Sequence, residues 1–559
     1  MRKRQVVALT MAAVMAGTTL AGCGSSDKPA AESSKAPETT TAAAAEETKA
    51  GETTAPAETE AASDKPYEGV TLTWWTKLNA NVSSTYPNLG DTPWAKYVEE
   101  RTGIHIDFIH PTTGAEDEEF SILVASGEYP DIIEHKWTAY AGGPGTAIND
   151  GVIIPLDDII EQGKAPNIKK LLDEHPDIDK MVKTTSGNYY CFPFLRGLEQ
   201  PNVTQFSAGC LLRKDVLDEL GLELPETIDE WDTVLRAYKD YGFEVPFTTR
   251  KEWMREVWAP GFDNWGDFYV EDGVVKHGLM EDSRKAFLTK MNEWYTEGLI
   301  DRDYLVADKS SNQTYFTTGK SAAVFAPFGQ GLGQYTQIMH DADPEITQED
   351  IWGTVPVTST KGKNAKFSKM NQIFDKSGVS GAISSQCKNV DAAAWLLDWM
   401  FSEEGNLVCN FGIEGQTFEM KDGKPVYTDM IMKNPDGLSV ANALAAYTRA
   451  STSGVCVQDE EYIMQYYEQE NQKAALDMCM KTDMGQHFYP PVSVKEEDQE
   501  KYASIMNNIK TFSDEMEAKF IAGSASLDEW DSYVAQLKQF GLEDAVAMMQ
   551  EAYDNYMAN

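Results

Sequence analysis

Basic residues are scarce in this chain of 559: 48 Lys and Arg stand against 89 Asp and Glu, for a formal net charge of −41. Such a field repels phosphate backbones and anionic bilayers, so neither nucleic acid nor an anionic lipid surface is expected as the partner. Histidine is rarer still, seven in all and scattered. There is no H-E-x-x-H, no G-x-S-x-G and no P-loop, and Gly329, Gly331 and Gly333 lack the G-x-G-x-x-G spacing behind a strand. Six cysteines follow Cys23 (Cys191, Cys210, Cys387, Cys409, Cys456, Cys479) without a C-x-x-C pair, which argues against a zinc knuckle or a thioredoxin-type site. Six thiols allow fifteen disulfide pairings; buried free thiols are an equal alternative in a core this large. Beyond the N-terminus, no run is long and apolar enough to cross a bilayer. Residues 24–66 contain no aromatic and no Val, Ile, Leu or Met, so they cannot build a core.

The chain begins with Arg2-Lys3-Arg4, an apolar run from Val6 to Met15, and Leu20-Ala21-Gly22-Cys23. A basic segment, a short apolar run and small residues before a thiol form a secretory signal. Its end resembles the lipobox of bacterial lipoproteins, which implies cleavage before Cys23, with 1–22 as the signal, and diacylglycerol on the Cys23 sulfur. Two acyl chains hold a protein to a bilayer where one would be marginal. Residues 23–66 then form a tether with a root-mean-square span of roughly 35 Å. The remainder is expected to work outside the cell, on the membrane's extracellular face.

About 490 residues remain from Tyr67, enough for two lobes. Val70 to Trp75 is a β-branched and aromatic strand. Thr92-Pro93 opens a helix with Trp94, Tyr97 and Val98 on one face, and Gly103 ends it. Ile104, Ile106 and Phe108 alternate as a second strand, Glu116–Ser126 reads as a second helix and Asp131–Ile133 as a third strand. Alternating strands and helices predict a parallel sheet covered by helices. Near the C-terminus, Ser526 and Glu529 have capping-box spacing before an apolar face of Trp530, Val534 and Leu537, closed by Gly541.

Several stretches carry a family resemblance: Gly127–Ile133 followed by Trp137, Tyr140 and Gly151–Asp157; GNYYCFP at 187–193; GKSAAVF at 319–325; SEEG at 402–405; GIEG at 412–415; and Lys519–Leu542. Together they make 67–559 resemble the extracellular solute-binding proteins of family 1, the sugar-capturing components of ABC importers, in their large Gram-positive lipoprotein branch. The resemblance implies an α/β, two-lobed periplasmic-binding-protein-like fold of type II, each lobe a mixed sheet flanked by helices, with several strands crossing at the hinge. It assigns 67–195 and 353–430 to an N-lobe and 196–352 and 431–559 to a C-lobe. It also implies an oligosaccharide ligand, permease subunits as partners, no cofactor and no covalent chemistry; a monomer is expected. Some members carry a calcium loop early in the C-lobe, whereas Lys239–Pro246 is too short and has too few alternating oxygen ligands, so no metal is expected there.

A sugar needs flat aromatic surfaces ringed by polar groups, and 13 Trp, 24 Tyr and 22 Phe supply the first. By position in the expected cleft the candidates are Trp75 after the first strand and Trp137 and Tyr140 after the third. Arg196 lies at the first crossing, Trp258 and Phe262 by the stretch APGFDNWGD, Phe328 after the strand 322–325, and Glu414 in GIEG. Core packing competes for every aromatic, and a structural ion pair or loop for Arg196 and Glu414. Two alternatives stay open: a tethered glycoside hydrolase, which needs two carboxylates flanking a sugar, and a binder of the same fold for peptides or another non-sugar ligand.

Overall fold

The computed structural model describes residues 65–374 and 379–558, so Cys23, the signal segment and the tether up to residue 64 lie outside the described residues. Fourteen strands occur along that chain: β1 (Thr71–Trp75), β2 (His105–Ile109), β3 (Ile132–His135), β4 (Phe194–Leu195), β5 (Ala208–Arg213), β6 (Val245–Thr248), β7 (Phe268–Glu271), β8 (Val274–His277), β9 (Ser321–Pro327), β10 (Ile351–Gly353), β11 (Ser380–Ile383), β12 (Phe418–Lys421), β13 (Lys424–Tyr427) and β14 (Cys456–Val457). Two four-stranded sheets dominate, in the orders β11-β3-β1-β2 and β10-β5-β9-β6. In the first, β2, β1 and β3 are parallel and β11 runs against β3. In the second, β6 is parallel to β9 while β5 opposes both β9 and β10. Each is thus a mixed sheet, as expected.

Local chemistry places the early helices where the sequence puts them. Thr92 accepts the Ala95 N–H at 3.2 Å, Pro93 occupies the first turn, and Gly103 closes Pro93–Thr102 at a φ of 73°. Helix Glu116–Ser126 opens on four consecutive acids, which favour the positive end of its dipole. The capping box expected at Ser526 does not form. Ser526 instead accepts from the Asp528 N–H in a 3₁₀ turn, and the helix proper, Trp530–Phe540, starts one turn later and ends at Gly541.

One core lies around the first sheet and includes Trp74, Trp94, Ile132, Phe192 and Leu397. A second, with Trp231, Phe247, Trp258, Trp294 and Phe520, fills the helical side of the other sheet, and a third, with Phe206, Leu211, Phe328, Phe367 and Tyr427, lies against its remaining strands and helices. Three chain segments pass between these cores. Strand β4 pairs in parallel with β14, joining Phe194 to Cys456 and Leu195 to Val457. Between them and the third segment, the Arg196 N–H donates to the Ile373 carbonyl at 2.9 Å, and the Asn371 N–H to Gln205 at 3.0 Å. Strand β11 and the helix Val390–Trp399 pack in the first core, whereas Val357 packs in the second and Phe367 and Met370 in the third. Phe411, Phe418 and Tyr427 likewise join the third core, and Ala445 to Cys456 return to the first.

Candidate functional site

In open α/β sheets, ligands are held beyond the carboxyl ends of the strands, where loops diverge. Strands β1, β2 and β3 end at Trp75, Ile109 and His135 on one edge of the first sheet. An aromatic cluster forms there. Phe120 stacks on His135 with centroids 3.5 Å apart, and Trp75 lies 5.8 Å from Phe120 and 5.9 Å from His135. Trp137 meets Phe120 edge-on at 5.8 Å, and Tyr140 continues the series 6.4 Å from Trp137. Three expected site residues therefore come together, joined by Phe120 and His135, which the sequence reading passed over. Trp75 and Trp137 are 5% and 1% exposed, and the Trp137 indole donates to the Ser380 carbonyl at 3.2 Å. Tyr140 is the half-open member of the group. Its hydroxyl donates to Asp150 at 2.9 Å, and burial together with this carboxylate pushes its pKa up to about 12. Burial also drives the His135 imidazole down to about 4, so it is neutral at physiological pH.

The matching edge of the second sheet carries the ends of β6 and β9. Arg250, two residues past β6, lies over Trp253 at 3.6 Å, and Trp253 in turn contacts Phe325 at 5.1 Å. Phe328 follows β9 but turns inward, 1% exposed, against Tyr467 and so close to Gly209 that a Cβ there would meet its ring at 2.8 Å. Trp258 is enclosed by Trp231, Phe247 and Trp294 at 5.2, 4.7 and 4.9 Å, inside the second core. Phe262 leans on Phe287 at its rim. Both serve packing in this structure. Arg196 lies over Phe194 at the crossing, and Glu414 is exposed on a separate loop.

A cavity of about 730 Å³ opens between segments of the first and second cores. The first core contributes 142–149, directly after the Tyr140 loop, and 180–188, which runs into the start of GNYYCFP; the second contributes 491–493, Gln499 and 552–556. Its polar rim includes Thr184, Ser186, Asn188, Ser493 and Asn555, with Tyr556 as the aromatic member. Gln499 donates to the Gly142 carbonyl at 2.5 Å and Lys180 to the Tyr556 carbonyl at 3.5 Å, so contacts from both sides frame the space. Sequence reasoning missed Tyr556, because only the tertiary fold brings the last helix to the 142–149 segment.

Other chemistry is sparse. No cluster of three or more His, Cys, Asp or Glu among the described residues is placed to hold a metal, and 239–246 simply carries the end of helix Ile228–Tyr241 into β6. All six described cysteines are buried free thiols. No described helix is long and apolar enough to cross a membrane.

The fold matches solved solute-binding structures. Alginate-binding protein AlgQ2 aligns over 89% of this chain and 100% of its own, with a TM-score of 0.68 at 24% identity. In sequence, the fructooligosaccharide ABC transporter substrate-binding protein FusA of Streptococcus pneumoniae is 25% identical over 530 residues, covering 90% of this chain and 95% of the relative. Lipoprotein LipO of Bacillus subtilis is 24% identical over 511 residues, covering 86% and 92%. The family model for bacterial extracellular solute-binding protein matches residues 79–407. With two mixed sheets joined by three crossings and a family match over more than half its length, the chain belongs to the bacterial extracellular solute-binding proteins.

Proposed function

We propose that this protein is the substrate-binding component of an ABC importer, tethered outside the cell through Cys23, which captures an oligosaccharide between two lobes and presents it to a membrane permease. The lobes are taken as the two sheets with their helices, with boundaries near 195, 371 and 445. The observation that carries the reading is the void of about 730 Å³ framed by polar groups and Tyr556 from both cores. Its size suits a small ligand, and its rim suits hydroxyls. The relationship to FusA, whose name gives fructooligosaccharides as its ligands, supports a sugar. Contacts from two lobes form together only in a closed state, so ligand shifts the open-to-closed population, and the permease reads occupancy from shape.

Thermal melting of the protein against a panel of oligosaccharides, amino acids, peptides and polyols tests this. A saturable rise in melting temperature with a saccharide, without product after long incubation, is the expected result. Shortened sugars would instead establish a hydrolase, and a rise with peptides alone would overturn the carbohydrate assignment.

A further inference from the structure

Three glycines at alternate positions, Gly329, Gly331 and Gly333, lie in a π-helix, Gly329–Tyr335, that begins just after β9. Such helices are rare and often lie at functional sites. A Cβ on Gly331 would come within 2.0 Å of Leu211 on β5, and one on Gly329 within 2.7 Å of the Tyr466 hydroxyl. Glycine therefore lets the helix lie close against the sheet and beneath Tyr466. Two of the residues between and beyond them, Gln330 and Gln334, line a cavity of about 600 Å³.

This cavity shares no lining residue with the one of about 730 Å³. Its other walls are Asn81, from the short helix Ala80–Ser83 that follows β1; Asn442, from helix Val440–Tyr447; and the turn from Tyr466 to Gln472. The side chains of Asn81, Gln330, Gln334 and Asn442 bond to no described residue, so four carboxamides meet the cavity with their hydrogen-bonding groups unspent. Behind them the wall is fixed. Gln472, 5% exposed, accepts from the Gln469 N–H at 3.1 Å and donates to the Phe328 carbonyl at 3.5 Å, which ties the start of the π-helix to helix Glu470–Cys479. Tyr466 is held by the rings of Tyr462 and Tyr467, at 6.3 and 4.9 Å. Free polar groups on a braced wall form a preorganised site.

We infer that this cavity is a second saccharide site, separate from the 730 Å³ cavity, and that it takes a neutral polyhydroxylated ligand of one or two sugar rings. A carboxamide both donates and accepts, as a hydroxyl does, so each amide can pair with a sugar hydroxyl in either direction. The charged members of the lining are Lys309 and Glu468, one of each sign, so the wall carries no net charge with which to select an ion, although the chain as a whole stands at −41. Besides Tyr466, its apolar side chains are Val440 and Ala441, too little surface to hold a lipid tail. The assignment holds whether or not the 730 Å³ cavity is the importer's ligand site.

Titration calorimetry on the full chain tests this with glucose, galactose, fructose, sucrose, cellobiose and sorbitol as neutral probes and glucuronate and glucosamine as charged ones. At least one neutral probe is expected to bind, and more tightly than either charged sugar. Gln330→Ala combined with Asn442→Ala should weaken that probe about 5- to 150-fold, the range for two neutral hydrogen bonds, whereas Tyr556→Ala, in the other cavity, should leave it within about twofold. Where the double variant folds poorly, Gln334→Ala on the exposed rim repeats the test, with an expected loss of about 2- to 12-fold. A neutral probe that binds these variants undiminished would overturn the second site, and a loss of its affinity with Tyr556→Ala would assign it to the other cavity instead. Tighter binding of glucuronate or glucosamine would overturn the neutral class. Binding of no probe would overturn the second site, while the longer oligosaccharides of the melting panel would still decide the receptor reading.

Discussion

Removing Arg449 offers a sharp test of how the crossing segment is held to the first sheet. Arg449 lies between helix Val440–Tyr447 and β14 and is 3% exposed; Glu134, on β3 immediately before His135, is 2% exposed. One Nη2 reaches both Glu134 oxygens at 2.8 Å and the Thr76 hydroxyl at 3.2 Å, while Nη1 reaches Thr452 at 3.0 Å. Arg449→Met leaves a carboxylate buried without its cation, which costs about 3–5 kcal/mol. Replacing both partners, as in Glu134→Leu with Arg449→Met, removes two desolvation penalties and should cost much less than the sum of the single changes. Urea unfolding followed by tryptophan fluorescence reads this as a shift of midpoint at constant slope. A loss below about 1 kcal/mol for Arg449→Met, or strict additivity in the double variant, would refute the view that this ion pair is the buried tie between β14 and the sheet edge.

Two further outcomes follow from burial. Trp258→Ala empties a cage of three aromatics and should destabilise the protein by about 3–5 kcal/mol while leaving saccharide affinity within about twofold where the variant is folded; a selective loss of affinity would return Trp258 to the site. His135 is neutral when folded, with its pKa depressed to about 4 from an unfolded value near 6.5, so the unfolded chain takes up its proton first. Stability from this group is intact above pH 6.5, falls as pH drops through the interval to 4, and reaches a loss on the order of 3 kcal/mol. Denaturation of His135→Phe beside the parent checks the sign: the variant should gain relative stability at pH 4.5 over pH 7, and an unchanged difference would contradict it.

Local pattern was a reliable guide where local forces decide. Thr92-Pro93 and Gly103 delimit a helix through bonds made within a few residues, and Glu116–Ser126 is helical over the expected span, closed by Gly127 at a φ of 67°. At Ser526 two nearby amides competed for one hydroxyl, and the 3₁₀ partner Asp528 won over the box spacing. The packing of Phe367 and Met370 in the third core was not legible at all. It depends on Phe367 finding Tyr269 at 4.9 Å, about a hundred positions earlier in the chain.

The site divides in the same way. From sequence alone came the α/β class, the family and the grouping of Trp75, Trp137 and Tyr140 near strand ends, because strand ends and short loops are properties of the local chain. Whether each of those rings is open was settled elsewhere: Trp137 is sealed through Ser380, 243 positions away, and Trp258 by tryptophans at 231 and 294. Likewise, the buried pair of Arg449 and Glu134 is made across 315 positions of chain. Burial and charge compensation are sums over neighbours distant in sequence, and only the tertiary structure supplies those neighbours.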